Sequence, residues 1–322
     1  MTKERVWEQL RQTEGFVSGE EIAGKLSLSR AAVWKAIEQL REEGYRIESA
    51  QKRGYRLLPS DVLSEEGVRR FLKTKEIKPK VYRSIGSTNT VLKSLAANGE
   101  PTGTALIAGE QTEGRGRMGR SFYSPKDSGL YLSLLLRPQL EAAQATRITA
   151  CAAVAAAETI EELSGRRTQI KWVNDIFLDD RKVCGILTEA SVDCESGMMH
   201  YVVVGIGINT RVPEGDYPEE LRGIAGAAFG GQTPDSLRCR LAAGVLDRLW
   251  GYCAALPEED CFAAYRDRSL VLGKAVELLL PGREPERAVV LELGRDYSLL
   301  VCLADGSMRR VQSGEVRVRP AE

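Results

Sequence analysis

The chain has 322 residues, and at about 150 residues per domain that length predicts two or three domains. Its 43% hydrophobic and 28% charged residues are ordinary for a globular protein and exclude wholesale disorder. Basic and acidic residues each number 45, so no whole-chain positive field exists to coat nucleic acid, and the single histidine, His200, excludes a multi-histidine metal cage.

The first residues, MTKERVWEQLRQTEG, are charged throughout and do not read as a signal peptide. The longest apolar run, Ala150–Ala157, falls far short of the roughly 20 residues a membrane span needs. Seven scattered cysteines, odd in number and without a Cys-x-x-Cys pair, fit a reducing compartment. A soluble cytoplasmic protein with no membrane partner is expected.

Residues 1–59 predict three short helices, from the apolar sets Val6/Leu10/Phe16, Ile22/Ala23/Leu26 and Val33/Ile37/Leu40. Ser29 is placed to cap the third helix and Gly44 to end it. Two alternating runs, Tyr45–Glu48 and Tyr55–Leu57, flank Lys52-Arg53-Gly54 as a basic hairpin. Together they make a winged helix-turn-helix, a DNA-binding module. Its third helix would present Arg30, Ala31, Trp34 and Lys35 to base edges, with Ser29 at its start. Lys52, Arg53 and Arg56 would meet phosphates. The module carries eleven basic and nine acidic residues, a balance of only +2, so a second subunit would be needed for useful affinity.

Residues 60–79 read as a polar linker with a short helix, closed by Pro79. From 80 to 270, strand-like runs (Ala105–Ala108, Leu130–Leu136, Gln169–Trp172, Val183–Thr188, Tyr201–Ile208) alternate with helical ones. The helical runs are Thr90–Ala97, Ala142–Leu163, Asp235–Leu256 and Glu258–Arg268. Asp179-Asp180 reads as a hairpin turn, so a mixed α/β sheet is expected rather than a strict βαβ series. Residues 271–322 return to short strands, with turns at Pro281-Gly282, Gly294, Asp305-Gly306 and Ser313-Gly314, and suggest a small barrel of about five strands. The whole is a multidomain α+β protein.

The most unusual stretch is Gly114-Arg115-Gly116-Arg117-Met118-Gly119-Arg120. It matches G-x-G-x-x-G, but the following Ser121-Phe122-Tyr123-Ser124-Pro125 would break the helix that a dinucleotide fold requires. A loop whose glycines allow close backbone approach and whose arginines grip phosphate or carboxylate is the better reading. Ser87-Thr88-Asn89 opens a helix, Lys171-Trp172-Val173-Asn174-Asp175 ends a strand, Lys182 stands near Gly185, and Gly205-Ile206-Gly207-Ile208-Asn209 closes another strand. Each is weak alone, as a cap, a turn or surface charge. Jointly they place small and polar residues at strand ends, where α/β proteins build clefts.

In that order and spacing these five motifs resemble the biotin protein ligases, and with the winged helix the chain is similar to that family's bifunctional ligase/repressors. The resemblance covers nearly the whole length. It implies a class II synthetase-like (biotin–lipoate ligase) central domain and an SH3-like C-terminal barrel. It also implies a two-step reaction: biotin and Mg-ATP give biotinyl-5′-AMP, and a lysine of a biotin carboxyl carrier domain then takes the biotin. By matched motif, Lys182 and Arg117 would be catalytic. Ser87, Thr88, Asn89, Gln111, Arg115, Gly116, Arg117, Lys182 and Gly185 would bind biotin. Arg120, Lys171, Asn174, Asp175 and Asn209 would surround the nucleotide, Asp175 being the candidate for Mg²⁺, with no fixed metal site. The adenylate would act as corepressor for a homodimer on operator DNA.

Two departures stand out. Met118 replaces an arginine that often completes the loop, and Val173 replaces a proline common after Lys-Trp. No adenine-stacking residue is assigned within 211–232. Alternatives are a ligase with a non-functional winged helix, or a ligand-sensing transcription factor without catalysis.

Overall fold

A computed structural model describes residues 2–230, 234–280 and 282–318; Pro281 of the expected Pro281-Gly282 turn lies outside them. By contacts the chain divides into two compact units, Met1–Gly67 with Gly231–Arg240, and Val68–Gly230 with Leu241–Glu322.

The first unit holds helices α1 (Thr2–Gln12), α2 (Gly19–Leu26) and α3 (Arg30–Glu42), then an antiparallel pair, β1 (Ile47–Ala50) and β2 (Gly54–Leu57). Ser18 caps α2 by accepting from Glu21 N, and Ser29 caps α3 by accepting from Ala32 N, both at 3.1 Å. These caps satisfy amides that have no partner within the helix. Phe16, grouped with the first helix by spacing, lies beyond it, because the chain turns at Gly15 with φ +90°. Val6, Leu10, Ile22, Val33, Ile37 and Leu40 form the core between the three helices, and Ile47 extends it to the wing. Gly54 is required where it stands: its φ is +96° and a Cβ there would lie 2.1 Å from the Val17 carbonyl oxygen. Asp61 accepts from Arg238 N at 2.8 Å and Arg238 Nε at 2.9 Å, both side chains being buried.

Helix α4 (Glu65–Phe71) follows, and then the second unit's seven-stranded mixed sheet. Its strands are β3 (Lys78–Tyr82), β4 (Thr104–Ala108), β5 (Gly129–Leu136), β6 (Gln169–Lys171), β7 (Asp175–Leu178), β8 (Arg181–Val192) and β9 (Met199–Asn209). They run in the order β3-β4-β5-β9-β8-β7-β6, with only β3 and β4 parallel. Pro79, expected to close the linker, instead lies inside β3; that strand forms the sheet edge, where a missing N–H is tolerated. Asp179 and Asp180, at φ 49° and 59°, make the expected two-residue turn between β7 and β8.

Helix α5 (Thr88–Ala97) covers one face through Leu92 and Ala96, which pack on Leu106, Leu135 and Val203. Helix α6 (Ala145–Ser164) packs along β8 and β9, and its run Ala150–Ala157 is wholly buried. Helices α7 (Leu237–Ala255) and α8 (Phe262–Asp267) lead to the last five strands. These are β10 (Ala275–Leu279), β11 (Glu286–Leu293), β12 (Leu299–Leu303), β13 (Met308–Val311) and β14 (Glu315–Val318). They form one antiparallel sheet ordered β13-β12-β11-β10-β14. No helix among the described residues is long and apolar enough to cross a membrane.

Removing the Asp61 carboxylate takes away two of the acceptor contacts that hold the buried Arg238. Asp61→Ala is expected to lower stability by about 3–5 kcal/mol, seen as a lower urea midpoint at unchanged slope for the transition of the N-terminal unit.

Candidate active site

Val203 packs beneath α5, so the two-residue period of β9 turns Gly205 and Gly207 to the same face. Gly207 stands directly opposite Gly185 of β8 and Tyr131 of β5. With no side chains at this pair, the sheet has a notch, and the ring of Phe122 fills part of it. A Cβ on Gly207 would lie 2.5 Å from Phe122 Cε1, and one on Gly185 would lie 3.0 Å from Cε2. Tyr131 meets Phe122 edge to face at 6.4 Å.

The start of α5 borders the notch. Ser87 has extended φ/ψ and caps the helix through Thr90 N. Thr88 N donates to Gln111 Oε1 at 2.9 Å, and Gln111 Nε2 donates to Ser124 Oγ at 3.1 Å. Asn89 is consumed within the protein: Nδ2 donates to the Leu187 carbonyl and to Glu189 Oε2, while Oδ1 lies 2.6 Å from Ser133 Oγ. Gly205 makes room for it, since a Cβ there would sit 2.1 Å from Asn89 Oδ1.

The arginine loop folds back on itself. Gly116 N donates to the Arg120 carbonyl at 2.7 Å and Phe122 N to the Gly114 carbonyl at 2.9 Å. A single 3₁₀ turn, Arg117–Gly119, takes the place of the helix that a dinucleotide fingerprint would need. Arg117 Nη1 donates to Asn174 Oδ1 at 2.9 Å, and Nη2 to the Gly314 carbonyl at 3.4 Å. Arg120 pairs with Glu315 at 2.9 Å. Met118 points outward, 61% exposed at φ +55°.

Lys182 reaches this face through an irregularity. Gly185 and Cys184 oppose Asp175 and Ile176 in turn, but Phe177 opposes Lys182, so Val183 is an extra residue. In regular alternation Lys182 would share the buried side of Cys184. The bulge reverses that parity, and Lys182 Nζ lies 2.7 Å from Asp175 Oδ1. Its backbone is held by Ile224 and Gly226, which bond to its N–H and carbonyl. Burial pushes the neighbouring Lys171 ammonium below its usual value, against the opposing pull of Asp175. Asn174 Nδ2 bridges Asp175 and the Ile186 carbonyl.

Every candidate named for the catalytic region lines this one cavity except Asn209, whose amide donates to the Gly226 carbonyl. Sequence reasoning missed Phe122, Trp172, Glu315 and Val316, which also line it. Trp172 Nε1 donates to the Tyr297 carbonyl at 2.7 Å, tying the strand end to the last sheet. Phe122 and Trp172 carry a local signal, the one as an aromatic residue two places after the glycine-arginine loop, the other inside the Lys171–Asp175 motif. Glu315 and Val316 come from a strand some 200 residues distant in sequence from that loop, and no short-range pattern reveals them.

In the first unit, Arg30, Ala31, Trp34 and Lys35 lie on the exposed side of α3, with Trp34 58% exposed. Lys52 and Arg53 sit exposed at the wing turn. Arg53 stacks 4.2 Å over Phe16, and Arg56 is bonded to Glu48.

Fold and site thus define a helix-turn-helix unit joined in sequence to a mixed-sheet domain with a cationic ligand cavity. Comparison with known proteins agrees. Residues 2–56 match an HTH domain, and residues 81–209 match the biotin/lipoate A/B protein ligase family. The bifunctional ligase/repressor BirA of Bacillus subtilis is 42% identical over 213 residues, which spans 65% of this chain and 65% of that protein's length. Its Escherichia coli counterpart is 31% identical over 314 residues, 95% of this chain and 94% of that protein. The biotin protein ligase from Aquifex aeolicus, solved in complex with biotin and ATP, superposes with TM-score 0.61 at 27% identity, covering 76% of this chain and 99% of that one. The chain belongs to the biotin/lipoate A/B protein ligase family.

Gly207→Ala should cost about 1–3 kcal/mol by crowding Phe122, and clearly less when Phe122→Ala is already present. Denaturant midpoints of the four proteins in that double-mutant cycle measure the coupling.

Proposed function

We propose that the protein is an ATP-dependent biotin protein ligase that also serves as a biotin-responsive repressor of biotin genes. The observation that carries this reading is the charge of the cavity. Arg115, Arg117, Arg120, Lys171 and Lys182 converge there against two carboxylates, Asp175 and Glu315. That excess suits a carboxylate and a triphosphate held together.

In the first step a biotin carboxylate oxygen attacks the α-phosphorus of ATP; the bond to the β-phosphate oxygen breaks and pyrophosphate leaves. In the second, the amine of a carrier-domain lysine attacks the acyl carbon of the mixed anhydride, AMP leaves, and the nitrogen loses a proton. Lys182 stabilises charge on the carboxylate and α-phosphate, exchanging part of its bond to Asp175 for the ligand. Arg115 and Arg117 close over the adenylate and keep water from it. Ser87, Thr88, Gln111 and the Gly116 backbone face the biotin rings, with Gly185 leaving room beside them. Asn89 acts from behind. Arg120, Lys171 and Asn174 flank the nucleotide, and Asn209 supports the segment that holds Lys182. Positioning and charge neutralisation suffice for both steps.

Magnesium would arrive with the triphosphate. Among the described residues no cluster of three or more His, Cys, Asp or Glu side chains forms a cage. One carboxylate, Asp175, together with phosphate oxygens fits the ion's coordination habit. When bound, it would screen the phosphate charge.

In this reading residues 1–59 contact operator DNA, 60–79 link, 80–270 catalyse, and 271–322 form an SH3-like barrel that closes the site. Ser29 sets the start of the recognition helix; Arg30, Ala31, Trp34 and Lys35 read bases, and Lys52 and Arg53 meet phosphates. The adenylate-bound form is a homodimer, and the protein works in the cytoplasm on a biotin carboxyl carrier protein. The Escherichia coli and Bacillus relatives, both called ligase/repressors, support the pairing of activities.

Purified protein with biotin and Mg-ATP should label a carrier domain; absence of labelling would favour a ligand sensor without catalysis. Lys182→Ala should raise the barrier to adenylate formation by about 2–4 kcal/mol, measured as pyrophosphate release in single turnover. In a gel shift, biotin plus ATP should tighten binding to operator DNA. An unchanged shift would leave the ligase standing without its repressor role.

A further inference from the structure

We propose that Glu189, Asn89 and Ser133 fix the hydrogen-bond sense of the ligand site, so that Thr88 and Gln111 present paired acceptors to an N–H donor. The inference rests on the biotin reading and names the part of biotin concerned, the ureido ring.

The argument is a proton count. Asn89 Nδ2 lies 3.2 Å from the Leu187 carbonyl and 3.0 Å from Glu189 Oε2. Glu189 is an ion, bonded also to Lys93 at 2.6 Å, and its carboxyl is held below the usual range: the bonds from Lys93 and Asn89 outweigh the opposing effect of burial. Both acceptors oblige the Asn89 nitrogen to face them, so Oδ1 must accept. Ser133, with no exposed surface, has one proton, and Asn89 Oδ1 at 2.6 Å takes it. Ser133 Oγ then has only lone pairs to offer Thr88 Oγ1, 2.7 Å away, so the Thr88 proton turns to Ser133.

A second chain reaches the same place from the other side. Ser124 Oγ donates to the Phe122 carbonyl at 2.9 Å, so it must accept from Gln111 Nε2 at 3.1 Å. That fixes Gln111 Oε1 toward Thr88. The Thr88 and Gln111 oxygens stand 3.1 Å apart, and the one hydroxyl proton available to that contact goes to the shorter one at 2.7 Å. Two acceptors are left side by side at the cavity wall. A ring N–H can bridge them. A ligand with the same acid tail and a dithiolane ring, such as lipoate, has no ring N–H for this place and would leave the remaining lone pair of each oxygen without a donor, beyond the bonds Gln111 Oε1 takes from Thr88 N and Thr88 Oγ1 shares with Ser133. Glu189 and Ser133 are thus positioning residues: they act through Asn89 and Thr88.

The test compares biotin with its two isomers methylated on one or the other ureido nitrogen, using the full-length protein and equilibrium binding. The wild-type chain should reject one isomer by at least about tenfold. Ser133→Ala should weaken biotin by about tenfold yet leave that isomer unchanged, so the discrimination collapses. Glu189→Gln should move the same way. The rate at saturating biotin and the KM for ATP should hold in both variants, which separates this effect from damage to the fold. Equal weakening of biotin and the isomer, or no change in either, overturns the inference while leaving the ligase reading intact. Failure of the wild-type protein to bind biotin at all overturns both.

Discussion

The site depends on a gap. Strands β4, β5 and β9 carry buried apolar runs, yet where β8 and β9 lie side by side two glycines face each other. A sheet packed with side chains across that pair would be smooth and closed by α5. Without them it has a notch deep enough to take an aromatic ring, and the chain supplies Phe122 as a partial filling. Gly205, one pleat further along, performs the same service for Asn89. These three glycines, read in the sequence as small residues at strand ends, act as absent volume: none of them has a positive φ.

A notch alone would not bind charge. Its cations come from three separate places, and like charges so close repel unless something holds them. The arginine loop is held by Asn174, by the Gly314 carbonyl and by Glu315. Lys182 is held by Asp175 and by the segment around Ile224 and Gly226. The last sheet is therefore part of the site. Trp172 donating to the Tyr297 carbonyl fixes the register between that sheet and the strand end bearing Lys171 and Asn174. An antiparallel sheet that looked in the sequence like an appended module supplies the counter-charge that keeps the cavity together.

How much of this was legible depends on the range of the physics. Caps and turns are local, and Ser29, the Asp179-Asp180 hairpin and the buried alanine helix stood where periodicity put them. The motif residues were legible as a set because their order resembles a known family, although Asn209 lies outside the cavity lining, bonded to the Gly226 carbonyl. The bulge at Val183 was not legible. Nothing in Arg181-Lys182-Val183-Cys184 signals an extra residue, yet that residue decides which face Lys182 serves. Glu189 and Ser133 were missed for a related reason. Each looks like an ordinary strand residue until its partner, far away in sequence, is known.

The weak charge of the N-terminal unit acquires a sense on the proposed reading. Some of its basic residues are already engaged within the unit, since Arg56 is bonded to Glu48 and Arg30 lies 3.9 Å from Glu20. Affinity for DNA grows with the number of phosphates neutralised, so one such unit binds feebly. Two held together bind with the second contact made at high effective concentration. A module of low charge is then an advantage for a ligand-controlled repressor. If a single copy bound tightly, filling the cavity would have little left to regulate. If the pair is needed, any ligand that favours pairing sets occupancy of the operator.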